Sequence, residues 1–150
     1  MTAVPIGEAV PVAEGLFVLD DGTPKLIGSR CSGCGAVYFP RALSCRNPHC
    51  RTKVLQRALL PNGGKLLSYT IQRYQPPPLF RMDDWAPYPI GLIDLGAGVQ
   101  VMGMLTDVAH EDIRIGMPLT LVIELLFTDA VRGSVSTYKF APDSDGVHTR

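Results

Sequence analysis

Four cysteines within twenty residues are the part of the sequence best suited to chemistry. Cys31 and Cys34 form a C-x2-C followed by glycine, and Cys45 and Cys50 form a C-x4-C whose tight turn is favoured by Asn47-Pro48. Two such turns, each presenting two thiolates, suit tetrahedral Zn²⁺. Four protein ligands leave no open position for water, so we expect one structural zinc ion rather than a catalytic one.

The wider second cysteine pair leaves the fourth ligand open. His49 lies beside Cys50 and could replace either member of that pair. Alternatively, the cysteines could be unligated or redox-active, but a redox C-x-x-C needs a thioredoxin-like βαβ setting, and no helical pattern follows Cys34. The sequence contains no G-x-S-x-G, H-E-x-x-H or P-loop motif, which argues against an independent enzyme.

Charge is balanced over the whole chain but segregated along it. The sequence has 14 basic and 14 acidic residues, which excludes a protein that coats nucleic acid by bulk positive charge. Residues 22–82, however, contain no Asp or Glu. The basic residues in this segment are Lys25, Arg30, Arg41, Arg46, Arg51, Lys53, Arg57, Lys65, Arg73 and Arg81. This segregation predicts an anionic ligand or an acidic protein partner, unless the arginines only offset the zinc–thiolate charge and are otherwise solvated.

Glycine and proline are abundant, with 15 and 13 residues, which favours short strands joined by tight turns. No apolar run is long enough to span a bilayer, and the first residues lack the features of a signal peptide. We therefore expect a cytoplasmic protein without a membrane segment.

Strand patterns occupy the second half of the chain. Residues 54–60 and 65–74 are predicted to form a hairpin around the Pro61–Gly64 turn, with Leu67, Tyr69 and Ile71 on the buried face. Further strands are predicted at 89–95, at 99–105, at 119–127 with every second residue from Leu119 to Phe127 on one face, and at 134–140 as an edge strand. Residues 14–19 are either a short strand or a docking arm.

The predicted fold is mainly β, with an N-terminal rubredoxin-like zinc ribbon followed by an OB-fold barrel of five to six strands. An SH3-like barrel or a small sandwich is the alternative. The expected organisation is an N-terminal arm (1–24), the zinc ribbon (25–53), the barrel (54–141) and a flexible tail (142–150).

A long loop over residues 75–88 interrupts the predicted barrel. Prolines stiffen it, while Phe80 and Trp85 make it apolar. Long apolar loops in compact domains often bind partners, although these aromatic side chains could instead fold back and plug the barrel end.

The cysteine frame resembles that of a known family, the zinc-ribbon plus OB-fold proteins associated with acyl-CoA metabolism, catalogued as a domain of unknown function. The resemblance runs from about residue 15 to residue 140. It is carried by Ile27–Gly35, Tyr38–Arg41, Cys45, Cys50, Gly64–Tyr74, Pro89–Leu95, Gly103–Leu105 and Ile115–Leu119. Two departures are the Pro/Gly-rich N-terminus, where many relatives have a helical segment, and the C-x4-C where C-x2-C is usual.

The resemblance implies a non-catalytic accessory subunit that joins a thiolase-like catalytic subunit in a hetero-oligomer, with acyl-CoA at the interface. The chain is similar to the small subunit of a thiolase that acts on a benzoylsuccinyl-CoA-type substrate in anaerobic aromatic degradation. Arginines could meet the phosphates of coenzyme A, and the apolar loop could dock on the partner or cover the pantetheine arm. The residues predicted to bind CoA or the partner are Phe39, Arg41, Arg46, Arg73, Phe80 and Trp85.

A second hypothesis is a module that binds single-stranded nucleic acid, because zinc ribbons and OB barrels both do so with aromatic side chains over basic grooves. Phe39, Tyr69, Arg73 and Tyr74 could serve that purpose. The modest aromatic content of 7% argues against it.

Overall fold

The computed structural model describes residues 9–77, 82, 83 and 85–143, and its described elements are strands apart from a short 3-10 turn at His110–Asp112. The strands are β1 (Val10–Pro11), β2 (Phe17–Asp20), β3 (Thr23–Cys31), β4 (Val37–Tyr38), β5 (Leu55–Leu59), β6 (Gly63–Gln72), β7 (Tyr88–Asp94), β8 (Gln100–Leu105), β9 (Pro118–Asp129) and β10 (Gly133–Pro142).

The first sheet is built around β3, which pairs antiparallel with β2, β4 and β5. Residues 17–20 are therefore a strand of this sheet. The predicted hairpin between 54–60 and 65–74 is wrong, because β5 pairs with β3 from Ile27–Leu59 to Cys31–Leu55. The backbone N–H of Leu60 then donates to the carbonyl of Leu26, and the Leu60 side chain enters the core, so the chain turns from the ribbon sheet into the barrel at this point.

The second sheet closes into a five-stranded barrel in the order β9-β6-β7-β8-β10, because β10 pairs with β9 as well as with β8. This confirms the predicted zinc ribbon followed by an OB-like barrel. The prediction of an edge strand at 134–140 is wrong, since β10 lies between two barrel strands and also pairs in parallel with β1. Closure of a barrel removes the sheet edges that would otherwise be exposed.

One hydrophobic core joins the ribbon sheet to the barrel. Leu26 of β3 is fully buried together with Leu66, Ile93 and Phe140 of the barrel. Gly103 of β8 makes room for this packing, because a β-carbon at that position would lie 2.8 Å from the Phe140 ring. Burial of large apolar side chains contributes about 1.5–3 kcal/mol each, so the shared core fixes the zinc ribbon against the barrel.

A β-bulge in β6 changes which side chains face the core part-way along that strand. Leu66 pairs with Ile93 and Ser68 pairs with Leu92, which leaves Leu67 as the extra residue. Leu66 is consequently buried, whereas Leu67 and Tyr69 are 38% and 40% exposed. The prediction that Leu67 faces the core is therefore wrong. Beyond the bulge, Tyr69 and Ile71 pair with the buried Gly91 and Pro89 and so lie on the predicted face, although Tyr69 is still exposed.

A second bulge changes the face of β9 part-way along its length. Leu119 and Leu121 are buried as predicted. Val135 pairs with Phe127 and the next residue of β10 pairs with Leu125, so the residue between them is extra. That residue, Leu126, is buried beside Phe127 in a smaller second core, while Leu125 is 38% exposed.

Among the described residues, the structure has no helix with the length and apolar character that crossing a membrane requires.

Candidate functional site

The sulfur atoms of Cys31, Cys34, Cys45 and Cys50 lie within 4.8 Å of one another. The Cys31–Cys50 and Cys34–Cys45 sulfur pairs are 3.7 and 3.6 Å apart. A tetrahedron with zinc–sulfur bonds of about 2.3 Å has sulfur–sulfur edges of about 3.8 Å. The four thiolates therefore fit one zinc ion, and its role is structural because the protein supplies every ligand. His49 is exposed and lies outside this group, so the C-x4-C provides both of its cysteines.

The first two ligands are positioned by a tight turn at the end of β3. The N–H of Gly35 donates to the carbonyl of Cys31 at 2.7 Å, with Gly35 in a left-handed conformation at φ 81°. Gly33 lies so close to Thr52 that a β-carbon on Gly33 would overlap the carbonyl oxygen of Thr52. The glycines of the first cysteine pair are thus needed for the turn and for close backbone approach.

The second turn is held by backbone and lysine hydrogen bonds. The N–H of Cys50 donates to the carbonyl of Asn47 at 3.0 Å. The Nζ of Lys53 donates to the carbonyls of Cys45 and Asn47 at 3.2 and 2.7 Å. Lys53, counted among the basic residues of the segment, therefore braces the metal site.

The protein environment shifts the pKa values of the Cys31 and Cys50 thiols in opposite directions. Burial raises the pKa of Cys31, but hydrogen bonds from backbone groups of Cys34, Val54 and Gly33 outweigh it and lower the pKa to about 6. Burial and the neighbouring thiols raise the pKa of Cys50 to about 11. Zinc binds thiolates, and its positive charge favours the ionised form of all four cysteines.

Tyr38 contacts the metal site, although nothing in the sequence alone assigns it there. Its hydroxyl lies 3.4 Å from the Sγ of Cys45 and accepts a 2.8 Å hydrogen bond from the N–H of Arg46. The hydrogen bond with Cys45 raises the pKa of the tyrosine, and burial adds to the effect. The guanidinium of Arg46 lies over the Tyr38 ring, 5.2 Å from its centroid. The only hint of this contact in the sequence is that an aromatic residue stands seven positions before the third cysteine.

The predicted CoA- or partner-binding residues of the ribbon lie in different settings. Phe39 is half-buried and packs edge-on against Tyr138 at 5.8 Å, so it belongs to the contact between ribbon and barrel. Arg41 and Arg46 are exposed. In the described part of the chain neither arginine forms an ion pair. Both remain available to an anion, and their role in binding stays a prediction.

The remaining predicted residues belong to the end of β6 and the loop that follows. Arg73 is exposed directly after β6. Trp85 is half-buried, and its buried Nε1 atom has no hydrogen-bond partner among the described residues. Phe80 lies outside the described residues. Arg73 and Trp85 are thus separated along the chain from the ribbon arginines, and their role in binding also stays a prediction.

Both halves of the chain match known domain families. Residues 22–56 match the rubredoxin-like zinc ribbon domain of ChsH2, and residues 58–124 match the C-terminal OB-fold domain of ChsH2.

Sequence similarity to individual proteins extends over most of the chain. A DUF35 domain-containing scaffold protein of Methanocaldococcus jannaschii is 35% identical and covers 78% of this chain and 81% of its own length. A protein of the same description from Pyrococcus furiosus is 33% identical over 79% of this chain and 83% of its own length. A probable enoyl-CoA hydratase alpha subunit of Thermomonospora curvata is 30% identical over 65% of this chain, which spans 28% of that protein.

A solved structure agrees with these relatives. The structure described as Ltp2-ChsH2(DUF35) aldolase has a TM-score of 0.58 and 26% identity, and the match covers 79% of this chain and 84% of that one. With the four-cysteine ribbon and the closed barrel in the same order along the sequence, the chain belongs to the DUF35 family of zinc-ribbon and OB-fold proteins.

Proposed function

We propose that this chain is a non-catalytic accessory subunit of a thiolase-fold enzyme in acyl-CoA metabolism. It stabilises its partner and helps to bind or shield the CoA substrate. The observation that carries the proposal is the likeness, over 79% of the chain, to the DUF35 protein in a structure described as an aldolase. Relatives described as scaffold proteins support the same role.

The metal site also supports a non-catalytic role for this chain. Within the described residues, the cysteine cluster is the one group of three or more side chains that could hold a metal ion. Four thiolate ligands close the coordination of zinc and leave no position for substrate or water. The reaction would therefore take place on the partner.

The charge of the ribbon suits coenzyme A at or near the interface. Coenzyme A carries a 3′-phosphate and a pyrophosphate, which guanidinium groups bind in a bidentate manner. Arg41 and Arg46 are exposed and lie on the ribbon, and Arg46 is held over Tyr38. We assign these two arginines to the phosphates or to an acidic surface of the partner.

The finer assignment rests on the sequence resemblance described above. We propose a thiolase as the partner, with benzoylsuccinyl-CoA in anaerobic aromatic degradation as the first substrate to test. A cytoplasmic location follows from this role.

Native co-purification tests the proposal. A tagged chain is isolated from its own cells at low salt, associated proteins are identified by mass spectrometry, and stoichiometry is measured by light scattering. A thiolase-fold enzyme of acyl-CoA metabolism is expected in a fixed ratio. Recovery of no such enzyme, together with tight salt-dependent binding of a single-stranded oligonucleotide, would favour the nucleic-acid hypothesis instead.

Charge reversal tests the arginines separately. Arg41→Glu and Arg46→Glu are expected to weaken binding of CoA or of the enzyme. The melting temperature should stay close to that of the wild type for Arg41→Glu and fall slightly for Arg46→Glu, which loses the contact with the Tyr38 ring. Arg114→Glu, outside the basic segment, makes the same charge change and is the control for binding alone, because Arg114 also donates hydrogen bonds to the carbonyls of Glu111 and Ile113. Equal binding by all three variants would mean that Arg41 and Arg46 are solvated surface residues without a role in binding.

A further inference from the structure

An apolar surface runs across the outer side of β7 and β8 and onto the ribbon. Along β8 the buried residues alternate with outward residues, and Met102 is one of the latter at 63% exposure. Three adjoining depressions in the surface all include Met102. We call this surface the Met102 face, and its main residues are Phe39, Pro40, Ile90, Leu92, Met102 and Tyr138.

The Met102 face spans both structural modules. Phe39 and Pro40 come from the ribbon, while Leu92 and Met102 come from the barrel, and all four line one depression. The hydroxyl of Tyr138 donates to the carbonyl of Met102 at 2.8 Å, and its ring packs against Phe39. A partner seated here would contact ribbon and barrel together on a surface that the protein already holds in place.

The surroundings of the Met102 face are polar and basic. Gln72 and Gln100 line its depressions. Arg41 follows Pro40 at the ribbon side and Arg73 follows Gln72 at the barrel side, and both are exposed. No ion pair involves either arginine in the described part of the chain. An apolar centre containing Met and Tyr, with a polar rim and arginine nearby, has the composition of a protein interface.

We propose that the Met102 face is the surface through which this chain docks on its catalytic subunit, whose complementary surface is apolar with acidic residues at its rim. The proposal rests on the accessory function above and names the contact surface for it. The charge of the flanking arginines selects an acidic-rimmed protein over a second copy of this chain, because the second copy would bring Arg41 and Arg73 against like charges.

The test uses the enzyme identified by co-purification, produced and purified separately, and measures its Kd for variants of the full zinc-loaded chain. Met102→Asp places a charge in the apolar centre and is expected to raise the Kd by at least about 30-fold, as for a central interface residue. Met102→Leu keeps an apolar side chain of similar volume and is expected to retain binding. Val131→Asp is the matched control, since Val131 is 94% exposed on the turn between β9 and β10 and lies outside the face.

The outcomes separate the two proposals. Loss of binding with Met102→Asp alone, at an unchanged melting temperature, supports the docking surface. An enzyme that binds wild type, Met102→Asp and Val131→Asp equally overturns the docking surface and leaves the accessory function standing. A chain that is dimeric by itself and becomes monomeric with Met102→Asp also overturns it, because the face would then bind a second copy. Failure to recover any acyl-CoA enzyme overturns both.

Discussion

Replacing Tyr38 with phenylalanine removes one hydroxyl beside the metal site and leaves the ring in place. In the wild type that hydroxyl lies 3.4 Å from the Sγ of Cys45 and accepts a 2.8 Å hydrogen bond from the N–H of Arg46. With zinc bound, Cys45 is a thiolate and the hydroxyl donates to it. Hydrogen bonds of this kind orient metal ligands and adjust their charge.

The size of the effect follows from the exposure of the two partners. Arg46 is exposed, so water replaces the tyrosine as acceptor of its N–H at little cost. Cys45 is only 5% exposed, so its lost hydrogen bond is not replaced. A hydrogen bond contributes about 1–2 kcal/mol in such a setting. We therefore expect the zinc Kd of Tyr38→Phe to rise by about 5- to 30-fold.

Competition with a chromophoric chelator measures this change. Zinc-loaded protein is titrated with 4-(2-pyridylazo)resorcinol, and both the equilibrium and the rate of zinc release are followed. Tyr74→Phe is the matched control, because Tyr74 is 79% exposed. A Kd for Tyr38→Phe within about twofold of wild type would refute the reasoning, since the hydroxyl would then contribute nothing to the thiolate.

Two further predictions concern the first cysteine turn and the phenol of Tyr138 in the Met102 face. Gly33→Ala forces a β-carbon into the carbonyl of Thr52 and is expected to cost about 1–3 kcal/mol of stability, seen as a lower melting temperature and zinc content below one ion per chain. Burial raises the pKa of Tyr138 to about 12, above the value of about 10 for an unfolded tyrosine. The unfolded chain therefore loses this proton first, and the stability due to the neutral phenol falls as pH rises from about 10 to about 12. Absorbance titration at 295 nm should lack the component near pH 12 in Tyr138→Phe.

Each of these predictions has its own control. Ser32→Ala changes the exposed neighbour of Gly33 without adding a β-carbon, and a stability loss equal to that of Gly33→Ala would contradict the steric argument. For Tyr138, the titration is repeated in denaturant, where the late component should move to about pH 10. A wild-type titration without a component above that of unfolded tyrosine would contradict burial as the cause.

The metal site could be predicted almost completely from the sequence. The spacing of four cysteines already determines that two turns present four thiolates, because the turn chemistry is local to each pair. The choice between His49 and Cys50 was different, since it depends on which side chain of the second turn points towards Cys31. The folded ribbon places the Cys50 sulfur 3.7 Å from that of Cys31 and leaves His49 exposed.

The positions of the strands could be predicted from the sequence, but the side chains that face the core could not. Alternation of apolar residues located β6 and β9, yet a bulge at Leu67 and another at Leu126 changed which side chains face the core. Because side chains alternate between the two faces of a strand, one extra residue inverts the alternation for every residue beyond it. The position of the bulge depends on pairing with the neighbouring strand, which the sequence of the strand itself does not specify. Pairing of β5 with β3 was missed for a related reason, because the Pro61–Gly64 turn favours a local hairpin while the distant β3 provides the better partner.

The sequence by itself determined the zinc-binding residues, the order of ribbon and barrel, and the basic segment, since these depend on residue type, spacing and local turns. Only the tertiary structure decided that Tyr38 reaches Cys45, that Phe39 packs on Tyr138, and that Met102 is the centre of an apolar surface shared by both modules. These contacts join residues up to about a hundred positions apart. Their geometry is fixed by barrel closure and by the core common to ribbon and barrel, which no local pattern specifies.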